Sequence, residues 1–199
     1  MAVRGTSVKR REDGPLLRGE GTFVADIKFD NPAYVHYLTS TMAHATVLSI
    51  ETSAARSMPG VIDIVTNADL DIGPYPSANP LFDEAMIRPL LADKRVRFVG
   101  EPIVAIVADS PSIAADAAEL IEIDYDSLDA VVDVEAALES EVLLFEGTAE
   151  GNVVCRMEAE GLDVDFGSCE VVMEVRTINN RLAPAPIETR VAAAEWTGD

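Results

Sequence analysis

Residues 103–108, Ile-Val-Ala-Ile-Val-Ala, form an apolar run with no polar interruption. Gly100-Glu101-Pro102 precedes it and Asp109-Ser110-Pro111 comes directly after. A run this short, apolar at every alternating position, reads as a strand buried on both faces. The next dozen residues restrict the fold further. Ser110 stands where a helix N-cap belongs and Pro111 where the first helical residue belongs. Ile113, Ala114, Ala117, Ala118, Leu120 and Ile121 make an apolar stripe at helical spacing, while Asp116, Glu119 and Glu122 point elsewhere. Residues 121–125 then return as a second strand. The unit reads as a strand-helix-strand crossover that buries its helix on a sheet, with Ile103, Val104, Ile106, Val107, Ile113, Ala117 and Leu120 in the core.

The flanking chain supports a mixed α/β class. Residues 34–38 and 46–51 read as strands, and 52–58 as a short helix stopped by Pro59-Gly60. Residues 61–66 alternate as a half-buried strand does, and residues 95–99 alternate again. Between them, prolines at 74, 76, 80 and 89 mark a long irregular connection. Residues 134–138 predict another short helix. Residues 170–177 and 191–196 predict two further strands.

The order of several short motifs resembles a known family. The run from Val99-Gly100-Glu101-Pro102 through Asp133, with Ser7 to Asp13, Gly19 to Asp26, Ala43-His44-Ala45, Met58-Pro59-Gly60-Val61 and Arg88-Pro89-Leu90 upstream, is similar to the large subunit of molybdenum hydroxylases. These are the xanthine dehydrogenase, aldehyde oxidase and carbon monoxide dehydrogenase group. Downstream, Gly151-Asn152-Val153, Asn180-Arg181 and the run from Pro186 to Arg190 resemble the opening of that subunit's molybdopterin-binding domain. Two departures bear on substrate subclass. Thr39-Ser40-Thr41-Met42 stands where members show an Arg-Ser-Pro type sequence, and Glu188-Thr189-Arg190 where they commonly show Glu-Pro-Arg.

The resemblance implies an amino-terminal arm over residues 1–18, a mixed-sheet α/β hammerhead domain over 19–130, a connector over 131–149, and an incomplete α+β molybdopterin-binding domain over 150–199. It also implies a parent enzyme that uses a molybdopterin-type molybdenum cofactor. Such an enzyme oxidises an aldehyde, an N-heterocycle or carbon monoxide with water-derived oxygen. Electrons leave through iron–sulfur and flavin subunits or domains. In the family the cofactor-contacting glycine-rich loops and the catalytic glutamate lie beyond the region matched. The chain is therefore expected to be a fragment, a truncated product or a split subunit, inactive alone and prone to self-association through its final strands.

Charge narrows the partners. The formal net charge is −20, from 35 acidic and 15 basic residues, and only Lys9, Lys28 and Lys94 are lysines. Nucleic acids and anionic membranes need basic clusters, and Lys9-Arg10-Arg11 is succeeded at once by Glu12 and Asp13. No stretch reaches the roughly 18 to 20 apolar residues a bilayer span requires. The first residues lack the apolar core of a secretory signal. Cys155 and Cys169 have no Cys-x-x-Cys partner and read as isolated thiols, so a cytoplasmic location is expected.

The chemistry-bearing residues do not assemble locally. His36 and His44 are the only histidines, and each reads as a packed or hydrogen-bonded imidazole near a strand end. Gly19-Glu20-Gly21 lacks the third glycine and preceding strand of a dinucleotide loop. Asp163-Val164-Asp165-Phe166-Gly167 lacks the ligands of a calcium loop. Asp116 and Glu119 fall on a solvated helix face. No catalytic, cofactor-binding or metal-ligating residue is assigned. Two readings remain: the amino-terminal part of a molybdenum hydroxylase large subunit, serving as scaffold and subunit contact, or a stand-alone, non-enzymatic hammerhead module for interaction or structure.

Overall fold

The computed structural model describes residues 5, 7–8, 10–77, 79–148, 150–157, 165–180 and 182–198. Its strands are β1 (Tyr34–Thr39), β2 (Ala45–Glu51), β3 (Val61–Val65), β4 (Arg95–Val96), β5 (Pro102–Ala108) and β6 (Glu122–Ser127). Its α-helices are α1 (Asp13–Leu17), α2 (Ser53–Arg56), α3 (Pro111–Ala118) and α4 (Ala136–Glu139). The chain divides into two units. One is Asn31–Asp163, which holds every strand among the described residues; the other combines Met1–Asp30 with Val164–Asp199.

Within residues 31–163 the strands form two three-stranded sheets, ordered β1-β5-β3 and β4-β2-β6. The apolar run is the middle strand of the first sheet. Ile103, Val104, Ile106 and Ala108 are buried. β1 pairs antiparallel on one side, with His36 opposite Ile106, and β3 on the other, with Ile64 opposite the same residue. Both edges of the β5 backbone are thereby paired, as a strand removed from water requires. Helix α3 packs on β1 and β5, and α2 packs on β3.

Local chemistry explains the start of α3. The Ile113 N–H donates to Ser110 Oγ at 3.2 Å, and Pro111 supplies a fixed φ where no N–H is needed. Ala114, Ala117 and Ala118 are buried, and Ile113 packs against the core. Small residues let the helix lie close to the sheet. The approach to the preceding turn is closest at Gly60, whose φ is +87°. A Cβ there would stand 2.7 Å from Ile113 Cδ1.

The second sheet shows half-buried alternation. Ile123 and Tyr125 of β6 pack against the core beside Val47 and Ile50 of β2, whereas Glu122, Asp124 and Asp126 are exposed. Glu122 lies directly opposite Glu51. Burial pushes the Tyr125 hydroxyl above its ordinary pKa, with Ser40 opposing through a hydrogen bond.

Five expectations need correction. The strands flanking α3 lie in different sheets, and every pairing is antiparallel, so the unit is not a crossover within one sheet. Leu120 is 44% exposed rather than core: α3 ends at Ala118, and Ile121 takes the inward position. The strand expected over 95–99 stops at Val96, because the Arg97 N–H donates to the Glu101 side chain and Gly100 turns the chain at φ +92°. The alternation expected over 61–66 is interrupted by a bulge between Val61 and Asp63, which leaves Ile62 exposed. Finally, residues 170–177 and 191–196 contain no strand. An extended run becomes a strand only when another chain segment accepts and donates its backbone hydrogen bonds, and neither run has such a ladder.

The other unit has its own long-range link, a Val24 N–H donated to Glu188 Oε1 at 2.8 Å. The Phe23 N–H meets Asp26 Oδ2 at 2.9 Å and closes the adjoining 3-10 turn, Val24–Asp26.

Replacing Ile106 by Asp places an unpaired charge at a fully buried position, which should abolish cooperative unfolding of residues 31–163 as monitored by circular dichroism. Ser110→Ala should be milder, lowering stability by about 1 kcal/mol in urea titration with an unchanged denaturant slope.

Candidate functional site

The polar groups withdrawn from water concentrate at the entrance to β5. Glu101 is 2% exposed, and its carboxylate accepts the Arg97 N–H at 2.6 Å. Arg88 Nη1 stands 3.7 Å from the other carboxylate oxygen, with its guanidinium 4.9 Å from the centre of the Phe98 ring. The backbone is tied as tightly: Ser40 N–H donates to Glu101 O at 2.8 Å, Gly100 N–H to Ser40 O at 2.7 Å and Ala92 N–H to Pro102 O at 2.7 Å. A buried carboxylate is tolerated only when hydrogen-bonded and charge-compensated, and this one is both.

Arginine side chains spread outward from that carboxylate. Arg97 lies over the Phe145 ring at 4.3 Å and donates from Nε to Leu144 O at 2.7 Å. Burial pushes its pKa below the ordinary guanidinium value, the charge of Glu101 opposing and those of Arg95 and Arg88 adding to the lowering. Arg95 pairs with Glu146 at 3.0 Å. Beside Arg88 is a cleft of about 290 Å³ walled by Tyr75, Pro76, Phe82, Met86, Ile87 and Val154, with Ser77 and Asp83 as further polar lining. Asp83 Oδ1 accepts the Ala85 N–H at 2.9 Å, and the Asp83 N–H is donated to Val154 O at 3.0 Å.

The histidines stand apart from this cluster. His44 is 3% exposed, and Nδ1 is 2.7 Å from Asp129 O. A carbonyl oxygen only accepts, so Nδ1 carries the proton. Its buried Nε2 meets no hydrogen-bond partner among the described residues. His36 is exposed on β1. Asp116 and Glu119 are exposed on and just after α3. Cys155 and Cys169 are free thiols. Of the residues weighed as a calcium loop, Asp163 and Val164 lie outside the described residues, as do Lys9 and Arg181 of the family motifs. Asp165 Oδ1 is engaged by the Gly167 N–H at 3.0 Å. Among the described residues, no group of three or more His, Cys, Asp or Glu converges on a point that could hold a metal.

Two contributors escaped sequence reasoning. Arg97 gives no signal beyond its place in an alternating run. Asn152 sits in a recognisable Gly-Asn-Val motif, yet its role emerges only from its partners: Oδ1 accepts the Leu144 N–H at 3.1 Å, while Nδ2 donates to Ala137 O at 3.2 Å and Val142 O at 2.9 Å.

Comparison with known proteins places the chain. The family profile described as aldehyde oxidase and xanthine dehydrogenase, a/b hammerhead domain, matches residues 18–129. The chain is 38% identical to the nicotine 6-hydroxylase large subunit of Paenarthrobacter nicotinovorans, over 99% of its own length and 25% of that protein. It is 33% identical to the carbon monoxide dehydrogenase large chain of Afipia carboxidovorans, over 93% of its length and 24% of the relative. Among solved structures, quinoline 2-oxidoreductase from Pseudomonas putida 86 superposes with a TM-score of 0.68 at 42% identity, covering 77% of this chain and 20% of that one. The chain thus spans about a quarter of the length of the curated relatives it matches. The profile covers more than half of the chain and the identities to these relatives extend beyond it: the chain belongs to the aldehyde oxidase and xanthine dehydrogenase family, with its a/b hammerhead domain over residues 18–129.

Proposed function

We propose that this chain is the amino-terminal part of the large subunit of a molybdenum-dependent hydroxylase or dehydrogenase, and that it serves as scaffold and subunit contact. The observation that carries the reading is colinearity: the match to a nicotine 6-hydroxylase large subunit runs through 99% of the chain without being confined to the hammerhead domain. The domain scheme that goes with it is an arm over 1–18, the hammerhead over 19–130, a connector over 131–149 and the opening of the molybdopterin-binding domain over 150–199.

The cofactor belongs to the parent enzyme in this reading. A molybdenum centre on its pterin supplies hydroxylation with water-derived oxygen, the protein positioning it. The described residues do not fit a seat for that group: the buried carboxylate of Glu101 is already engaged, and no donor cluster converges elsewhere. What these residues provide is a rigid sheet around β5. Relatives named as subunits, among them subunit gamma of the 6-hydroxypseudooxynicotine dehydrogenase complex, support assembly with further subunits; that these carry iron–sulfur and flavin groups is what the family resemblance implies. The substrate class stays at aldehyde, N-heterocycle or carbon monoxide. A cytoplasmic location accords with the free thiols; no described helix is long and apolar enough to cross a membrane.

The purified chain alone should carry no stoichiometric molybdenum and turn over neither an aldehyde nor an N-heterocycle; metal analysis with activity assay showing both would overturn the assignment of the chemistry to the rest of the subunit. Grafted in place of the corresponding quarter of the nicotine 6-hydroxylase large subunit, the chain should restore assembly and molybdenum loading. A soluble chimera that neither assembles nor loads the metal would sink the scaffold role.

A further inference from the structure

Two motifs read in the sequence, Val99-Gly100-Glu101-Pro102 and Gly151-Asn152-Val153, are connected through space. The path starts at the buried Glu101 carboxylate, which accepts the Arg97 N–H at 2.6 Å. The Arg97 side chain then donates from Nε to Leu144 O at 2.7 Å, from Nη1 to Arg95 O at 3.3 Å, and lies over Phe145 at 4.3 Å. Leu144 N–H in turn donates to Asn152 Oδ1 at 3.1 Å. The two hydrogens of Asn152 Nδ2 go to Ala137 O and Val142 O. The partners fix the amide orientation, because a flipped group would aim its oxygen at two carbonyls. Gly151, at φ +63°, turns the chain into Asn152.

We propose that Glu101, Arg97 and Asn152 act as one relay that makes residues 137–148 a rigid strut instead of a flexible tether. Satisfied hydrogen-bond valence is what confers the rigidity. Among the described residues this stretch contains one turn or so of helix, α4, and no strand, so its backbone groups find few partners in regular structure. One side-chain amide and one guanidinium take four of its backbone groups between them: Ala137 O, Val142 O, Leu144 N–H and Leu144 O. Both act on Leu144, from its two sides. Arg97 is itself held through its backbone N–H by the Glu101 carboxylate, and Pro102, next to Glu101, opens the central strand. Order in the strut therefore depends on the sheet, and a break at either Arg97 or Asn152 releases the same segment. All of these contacts lie within residues 95–152, so the relay is independent of the catalytic reading.

The test is a double-mutant cycle on the full chain, read by amide hydrogen exchange. Asn152→Ala and Arg97→Met should each speed exchange at Leu144 by about tenfold, the loss of one hydrogen bond's net contribution. The double variant should exchange no faster than the more affected single one, since the relay is broken only once. Protection at Ile106 reports whether the sheet is intact. If it is lost in these variants, Asn152→Asp and Arg97→Lys, which keep the side-chain size or charge and remove the paired donors or the fork, read the same coupling. Multiplicative effects near a hundredfold, or unchanged exchange at Leu144 in either single variant, would overturn the relay.

Discussion

Residues 31–163 are organised by the need to take one strand out of water on every side. β5 has no polar side chain from Ile103 to Ala108, so its backbone must be paired at both edges and its side chains covered on both faces. β1 and β3 meet the first requirement. Helix α3 meets part of the second, with Ala114, Ala117 and Ala118 buried in the same core as the strand. Burying a single Ile or Val contributes about 1.5–3 kcal/mol, so the strand and its cover stand or fall together. The entrance to the strand inherits the same constraint. Glu101 is carried into the interior by the residues immediately after it, and Arg97 and Arg88 are placed where a buried carboxylate needs them.

The parts of the fold legible in the sequence were those determined by neighbours along the chain. Ser110 and Pro111 announce a helix start through groups three residues apart, and the apolar composition of 103–108 announces burial without reference to any partner. The parts that were not legible depend on residues far away. Whether Ile123 and Tyr125 join the sheet of β5 or another is decided by β2, seventy-odd positions upstream. Leu120 continues the helical stripe on paper, but the helix ends two residues before it and the turn carries it outward. The same limit applies to residues 170–177 and 191–196, whose β-prone composition meets no partner strand. Around the entrance to β5, Glu101 and Asn152 each sat in a short recognisable motif, but the parts played by Arg97 and Asn152 were not legible, because an arginine or asparagine acquires a role only from the carbonyls it reaches.

Membership of the aldehyde oxidase and xanthine dehydrogenase family gives these contacts a setting. The chain corresponds to 25% of the nicotine 6-hydroxylase large subunit and 24% of the Afipia carboxidovorans carbon monoxide dehydrogenase large chain. Among the described residues the chain's polar groups follow three patterns. Its buried ionisable side chain is compensated, its exposed carboxylates lie on outward faces, and its buried imidazole is oriented by a backbone carbonyl.

The outer face of β6 has a consequence for how the chain behaves in a crowded solution. β6 is an edge strand, and edges invite a further strand to add. Here Glu122, Asp124 and Asp126 stand along it, with Glu51 facing Glu122 from the neighbouring strand. A second copy approaching this edge meets its own charges, within a molecule already at −20. That protection is electrostatic, and its range is the screening length of the solvent. At about 0.1 M salt this is roughly 10 Å, wide enough to hold two edges apart; at about 1 M it shrinks to roughly 3 Å, less than the spacing between paired strands. The edge is thus guarded by the dilute electrolyte around it as much as by its own residues, and the guard weakens as that electrolyte is concentrated.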